Sequence, residues 1–194
     1  SANGKPLHVQ GFLSAFNRAA LRNARQLREL ADVGVPLVGL DPAMTLVYRQ
    51  EYQKVPGMQA CPEVALLQEW LLDVIPEQAL EGTAETFRLL AHCTEKTNAP
   101  AATRQWEQVF ARVGLKLTTQ ATGCCGMSGT YGHEARNRDT SAVIYEQSWA
   151  RQIDAPAQKG EALATGYSCR SQIKRQSDRA VRHPLQVLLE RVRR

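Results

Sequence analysis

Apolar positions along the chain follow two rhythms that alternate. Leu7-His8-Val9, between Pro6 and Gly11, read as a short strand. From Ser14 to Val33, residues Phe16, Ala20, Leu21, Ala24, Leu27, Leu30 and Ala31 recur at helical spacing, with Ser14 as N-cap and Gly34 as stop. Pro36 to Leu40 is a compact, nearly all-apolar strand, of the kind buried on both faces of a parallel sheet. Asp41-Pro42 opens a helix through Met44, Leu46, Val47 and Tyr48. A loop carries Pro56-Gly57, and Pro62 to Ile75 is an amphipathic helix on Val64, Leu67, Trp70, Leu71 and Val74.

The rhythm breaks from Pro76 to Gly82, which divides the chain into residues 1–80 and 81–194. It then resumes. Thr86 to His92 is a strand ending at Cys93, and Ala99 to Val113 is a helix carrying Trp106, Val109, Phe110 and Val113. Leu115 to Thr119 is a strand, followed by a Gly-Cys-Cys-Gly turn and a helix from about Glu134 to Ile153. Glu161 to Thr165 is a strand ending near Gly166 and Cys169, before helices at Ser171–Arg179 and Leu185–Arg194. This order predicts an α/β fold of mostly parallel sheets flanked by helices. It also holds a faint internal repeat: Val38-Gly39-Leu40-Asp41-Pro42-Ala43-Met44 lies over Leu163-Ala164-Thr165-Gly166-Tyr167-Ser168-Cys169, with Met44 in the place of Cys169.

Composition narrows the class. The chain of 194 residues has the apolar and charged content of an ordinary globular protein and no apolar run that would span a bilayer. Its first residues lack the layout of a signal peptide, so the expected location is the cytoplasm or, peripherally, the inner face of the membrane. The formal charge of +5 includes Arg179, Arg182, Arg191, Arg193 and Arg194 near the end. Without aromatic interleaving or a nucleic-acid motif, that cluster reads as a solvated helix face, and no nucleic-acid partner is expected.

The five cysteines change the picture more. An odd number without a secretory signal argues for reduced thiols that act as ligands or catalysts. Cys93, the pair Cys124–Cys125 and Cys169 each follow a predicted strand, and ligands in such folds sit at the carboxyl ends of strands. Three loops at one sheet edge can therefore gather four thiols. Vicinal cysteines seldom bond to each other, and four thiolates suit a [4Fe–4S] cluster or a tetrahedral zinc. Gly123 and Gly126 let the backbone bend so that neighbouring thiols point at one centre, and they expose N–H groups to sulfur.

The stretch from His92-Cys93, through Gly123-Cys124-Cys125-Gly126, to Tyr167-Ser168-Cys169-Arg170-Ser171-Gln172 resembles the cysteine-rich CCG domain. That domain occurs in heterodisulfide reductase, the glycolate oxidase iron–sulfur subunit and anaerobic glycerol-3-phosphate dehydrogenase. Gly39-Leu40-Asp41-Pro42-Ala43-Met44 and Cys125-Gly126-Met127-Ser128-Gly129-Thr130-Tyr131-Gly132-His133-Glu134 look most like the C-terminal region of large bacterial FAD-linked oxidases of D-2-hydroxy acids. The resemblance implies that residues 1–80 are the second half of a degenerate first repeat plus a connecting helix, and that 81–194 are a complete repeat with the four-cysteine site. It implies an iron–sulfur cluster on Cys93, Cys124, Cys125 and Cys169 that relays electrons from a flavin towards a quinone or a carrier protein. The FAD and ferredoxin-like domains would belong to the missing part of the same parent chain. Two departures matter. The family's Cys-x-x-Cys is here Cys169-Arg170-Ser171-Gln172, and the first repeat ends in Met44. The disulfide-cleaving non-cubane clusters of heterodisulfide reductase need the full motif, so an ordinary four-thiolate cluster for electron transfer is the implied group.

Other readings stay beside it. The same thiols could hold a structural zinc in a docking module, or one of Cys124 and Cys125 could be a nucleophile. Cys61 reads as a half-buried structural thiol, Met44 as core, His92 as a packing residue and His133 as a loop or capping residue. Glu95, Glu134 and Asp139 form no obvious acid–base pair. The absence of P-loop, G-x-G-x-x-G and G-x-S-x-G motifs leaves no flavin, nucleotide or acyl chemistry to assign to these residues.

Overall fold

The computed structural model describes residues 2–77, 80–156 and 159–193, so Arg194 and, in the pattern break, Gln78 and Ala79 lie outside the described residues. The chain divides into two compact units, Ser1–Trp70 and Leu71–Arg194. The sheets are parallel throughout and helices follow their strands, as the alternating rhythms predict.

The first unit opens on a helix, α1 (Lys5–Val9), where the apolar triplet predicted a strand. Pro6 suits a first helical turn, and the three-residue run is too short to impose a strand without a partner. The long helix α2 (Leu13–Asp32) starts one residue before Ser14, which is therefore inside the helix and does not cap it. Its end is as predicted: Gly34 adopts φ +78°, Gly34 N–H donates to Ala31 O at 2.9 Å and Val35 N–H to Leu30 O at 3.1 Å. This is a Schellman stop. The buried stripe of Phe16, Ala20 and Ala24 packs on Val47, Tyr52 and Val55.

Strand β1 (Val38–Gly39) leads into α3 (Pro42–Arg49), whose N-cap Asp41 accepts from Met44 N–H at 3.1 Å. The helix expected over Pro62–Ile75 forms only in its second half, as α4 (Leu67–Val74). Ala65–Leu66 instead form β2, parallel to β1, with Val38 opposite Ala65. Glu69 stops the helix from extending backwards: it accepts from Leu66 N–H at 2.8 Å and is held by both guanidinium nitrogens of Arg49.

The second unit is built on a sheet of order β4-β3-β5, formed by Thr86–Leu90 (β3), Lys116–Thr119 (β4) and Glu161–Ala164 (β5). Helices α5 (Cys93–Asn98) and α6 (Ala102–Arg112) join β3 to β4. The single helix expected from Glu134 is broken into 3-10 turns, α7 (Arg138–Tyr145), a π-turn (Glu146–Ala150) and α8 (Arg151–Ile153). The last helices are α9 (Tyr167–Ser177) and α10 (Pro184–Arg193). Three of the late arginines bond other parts of the second unit, while Arg179 and Arg193 remain exposed, in keeping with a solvated face. Arg182 pairs with Glu161 and Glu190, Arg179 bonds Ile153 O at 2.6 Å, and Arg191 Nε bonds Val113 O at 3.0 Å.

The faint repeat has a structural counterpart. Asp41 and Gly166 are both N-caps, which puts Met44 and Cys169 at the same helical position. Val38 and Leu163 each make a parallel pairing, to Ala65 and Arg182, two residues before the next helix begins. Met44 is 40% exposed, however, and so is not the core residue expected. No helix among the described residues is long and apolar enough to cross a membrane.

Candidate thiol centre

The carboxyl ends of β3, β4 and β5 lie side by side, because the three strands are parallel and paired in register. Each delivers cysteine. Cys93 is the first residue of α5, behind its N-cap His92, whose Nδ1 accepts from Thr94 N–H at 3.1 Å. Cys124 and Cys125 lie in the irregular segment after β4. Cys169 sits inside the first turn of α9, which begins at Tyr167, four residues before the expected start at Ser171. All four predicted thiols meet. They form a hydrogen-bonded row, Cys93 to Cys124 to Cys125 to Cys169, and the two ends of the row also feel each other electrostatically. Cys125 and Cys169 are buried and the other two are half-buried. All five cysteines of the chain are free thiols.

The row is electrically graded. Cys124 accepts from the thiols of Cys125 and Cys93 and from the N–H groups of Gly126 (3.3 Å) and Ser128, which hold it well below the ordinary thiol range. Cys93 is pushed up by its hydrogen bond to Cys124 and by burial. Cys125 is pushed up by its bonds to Cys124 and Cys169 and by burial. Of these thiols, Cys124 is the one whose ionised form the surrounding hydrogen bonds favour. The exposed N–H groups expected of the glycine-rich loop are found on sulfur.

Two clamps shape the Cys124–Cys125 segment. The π-turn places consecutive side chains on one target: Ser148 Oγ accepts from Gly123 N–H at 2.7 Å, and Trp149 Nε1 donates to Gly123 O at 3.0 Å. On the other side, Ser141 Oγ donates to Gly126 O at 2.8 Å and accepts from Gln172 Nε2 at 2.9 Å. Arg175 in turn donates to Gln172 Oε1 at 2.5 Å and to Gly132 O. Gly126 has φ +89°, and a Cβ there would lie 2.2 Å from Ser141 O. Lys96 of α5 reaches across to the Thr122 hydroxyl at 3.1 Å.

Gln172, where the pattern that the sequence resembles has a cysteine, is thus a fully buried structural amide. Sequence reasoning missed Ser141, Trp149 and Arg175, whose partners are distant in the chain. Alignment with a cysteine of the resembled pattern was the available signal for Gln172. His133 is exposed in a 3-10 turn. Cys61 is half-buried, as expected, against the Phe16–Tyr52 cluster, in an irregular segment and not at a helix start. Glu134 bonds Arg136 and Asn137.

No group of three or more His, Cys, Asp or Glu side chains among the described residues stands ready to hold a metal ion. The four thiols interact as neighbours in a row, Cys93–Cys124–Cys125–Cys169. Each can turn about one Cα–Cβ bond.

No family model and no solved structure matches the chain. It is 72% identical over its full length to D-2-hydroxyglutarate dehydrogenase of Pseudomonas putida, and 45% identical over 98% of its length to the Escherichia coli protein of the same name. It spans only 19% of the length of either relative. It is also 26% identical, over 96% of its length, to a subunit of the anaerobic glycerol-3-phosphate dehydrogenase of Escherichia coli, and covers 48% of that protein.

Proposed function

We propose that this chain is the thiolate-bound electron-relay region of a longer FAD-linked dehydrogenase acting on a D-2-hydroxy acid, D-2-hydroxyglutarate being the substrate the relatives' name suggests. Cys93, Cys124, Cys125 and Cys169 hold an iron–sulfur cluster of the [4Fe–4S] type, and residues 81–194 are the repeat that carries it. The carrying observation is the convergence of four thiols from three parallel strands at one sheet edge.

The residues present fit the group. The donor set is soft and anionic once deprotonated, and Gly126, Met127 and Ser128 direct N–H groups at the sulfurs. When bound, the cluster supplies reversible one-electron transfer. The protein's own part is positional and electrostatic. The strand ends hold the ligands, the N–H groups offset thiolate charge, and burial of Cys125 and Cys169 keeps water from the inner side of the site. Flavin and ferredoxin-like domains of the longer protein lie on the donor side and a quinone or carrier protein on the acceptor side. Soluble placement in the cytoplasm, or peripheral placement at the membrane, suits that role.

Anaerobic reconstitution with iron and sulfide tests the reading. Expected are a sulfur-to-iron charge-transfer absorbance, an EPR signal on reduction, and loss of both in Cys124→Ser. Iron uptake that ignores Cys124→Ser would sink the proposal. Structural zinc is the competing occupant, because four thiolates are also a full tetrahedral zinc set. Zinc without iron in anaerobically purified protein would decide for it.

A further inference from the structure

We propose that Glu95 and Thr165 are positioning residues for the thiol centre: a buried carboxylate–hydroxyl bolt that locks the turn bearing Cys93 to the turn bearing Cys169. This rests on reading the four thiols as one ligand set.

Strand pairing between β3 and β5 ends at Leu90 opposite Ala164, short of both cysteines. Beyond it the connection passes to side chains. His92 N–H donates to Thr165 Oγ1 at 3.0 Å, and that hydroxyl donates its own proton to Glu95 Oε2 at 2.6 Å. Trp106 Nε1 donates to Glu95 Oε1 at 3.0 Å, which anchors the carboxylate to α6. Glu95, Thr165 and Trp106 are each 1% exposed. The His92 ring makes a second, looser crossing to Ser168 Oγ at 3.4 Å. Gly166 accommodates that ring, since a Cβ there would lie 2.3 Å from it.

A well-packed apolar trio would fill this volume without the desolvation cost of a carboxylate. A directional bond does what apolar packing cannot: it fixes the distance between two helix starts. The bolt sits directly behind Cys93, and Thr165 adjoins the N-cap of the helix that carries Cys169. Both Glu95 oxygens are acceptors here, which Glu95→Gln cannot reproduce, because an amide offers one acceptor oxygen.

The test uses Cd(II) alone, titrated anaerobically into the metal-free 194-residue chain and followed by thiolate-to-metal absorption. Thr165→Val and Glu95→Gln should each weaken binding, on the order of 10–100-fold, the usual effect of losing an outer-shell partner. Thr165→Ser should restore wild-type affinity, because it returns the hydroxyl. After iron–sulfide loading, the EPR line shape of Thr165→Val should differ from wild type and that of Thr165→Ser should not. Equal Cd(II) affinity in wild type, Thr165→Val and Glu95→Gln overturns the bolt. If Thr165→Val fails to fold, the isosteric Glu95→Gln decides the question. Bolt-dependent Cd(II) binding in a protein that takes up no iron–sulfide leaves the bolt standing and removes the iron–sulfur reading.

Discussion

The side chain of Gln172 donates to Ser141 Oγ at 2.9 Å, and Ser141 passes the connection on to the Gly126 carbonyl, the residue directly after the thiol pair. An amide thus stands where the related pattern has a thiol. It restrains the loop from behind and leaves four cysteines at the site.

Gln172→Leu should cost about 1–3 kcal/mol, because the buried Ser141 and Arg175 groups lose a partner. Ser141→Ala should cost a similar amount. The double variant should cost less than the sum, since both break one network. Urea unfolding of the four proteins measures the coupling, and additive losses would refute the network.

Gly126→Ala should destabilise by about 2–4 kcal/mol, combining the left-handed backbone with an overpacked contact. Gly123→Ala is the control, because its Cβ would meet only Ser148 atoms at 3.6 and 3.8 Å. Thermal unfolding should separate the two variants clearly.

In metal-free, reduced protein, iodoacetamide should label Cys124 first and Cys125 and Cys61 late. Hydrogen bonds from Cys125 and Cys93 keep Cys124 ionised below the ordinary thiol range, while burial pushes Cys61 up. Between pH 8 and pH 6, the Cys124 rate should fall less than the Cys61 rate. Peptide mass spectrometry follows each site, and preferential labelling of Cys61 would contradict the gradient.

Tyr52 is pushed up to about 12, chiefly by burial, with Asn23 opposing the shift. A phenol raised in the folded state contributes stability that is whole below its ordinary value near 10. That contribution is lost as pH rises towards 12, because the unfolded chain ionises first. Unfolding free energy should fall by up to about 2–3 kcal/mol across this window. Tyr52→Phe should flatten that slope. It should also be less stable at pH 8, because the hydroxyl donates to Asn3 O at 2.8 Å and accepts from Asn23 Nδ2 at 3.0 Å.

The legible parts of the fold were those set by local rules. The α2 stop at Gly34, the Asp41 cap, the three long-spaced strands of the second unit and the strand-end location of the cysteines all follow from turn chemistry and periodicity. The misread parts were those decided by partners. Leu7-His8-Val9 had no strand to join and coiled into α1. Ala65–Leu66 left a helical pattern because β1 offered a parallel edge. The expected 134–153 helix broke into several pieces, including a π-turn, with Ser148 and Trp149 both bonded to Gly123.

By itself, the sequence determined which residues could be ligands and which edge of the sheet they would occupy, because residue type and strand position are local properties. Only the tertiary structure decided how they are held. The hydroxyl of Thr165, the carboxylate of Glu95, the amide of Gln172 and the indole of Trp149 each find a partner far along the chain. Parallel strands bring such partners together, and the cost of burying an unsatisfied polar group makes those pairings selective.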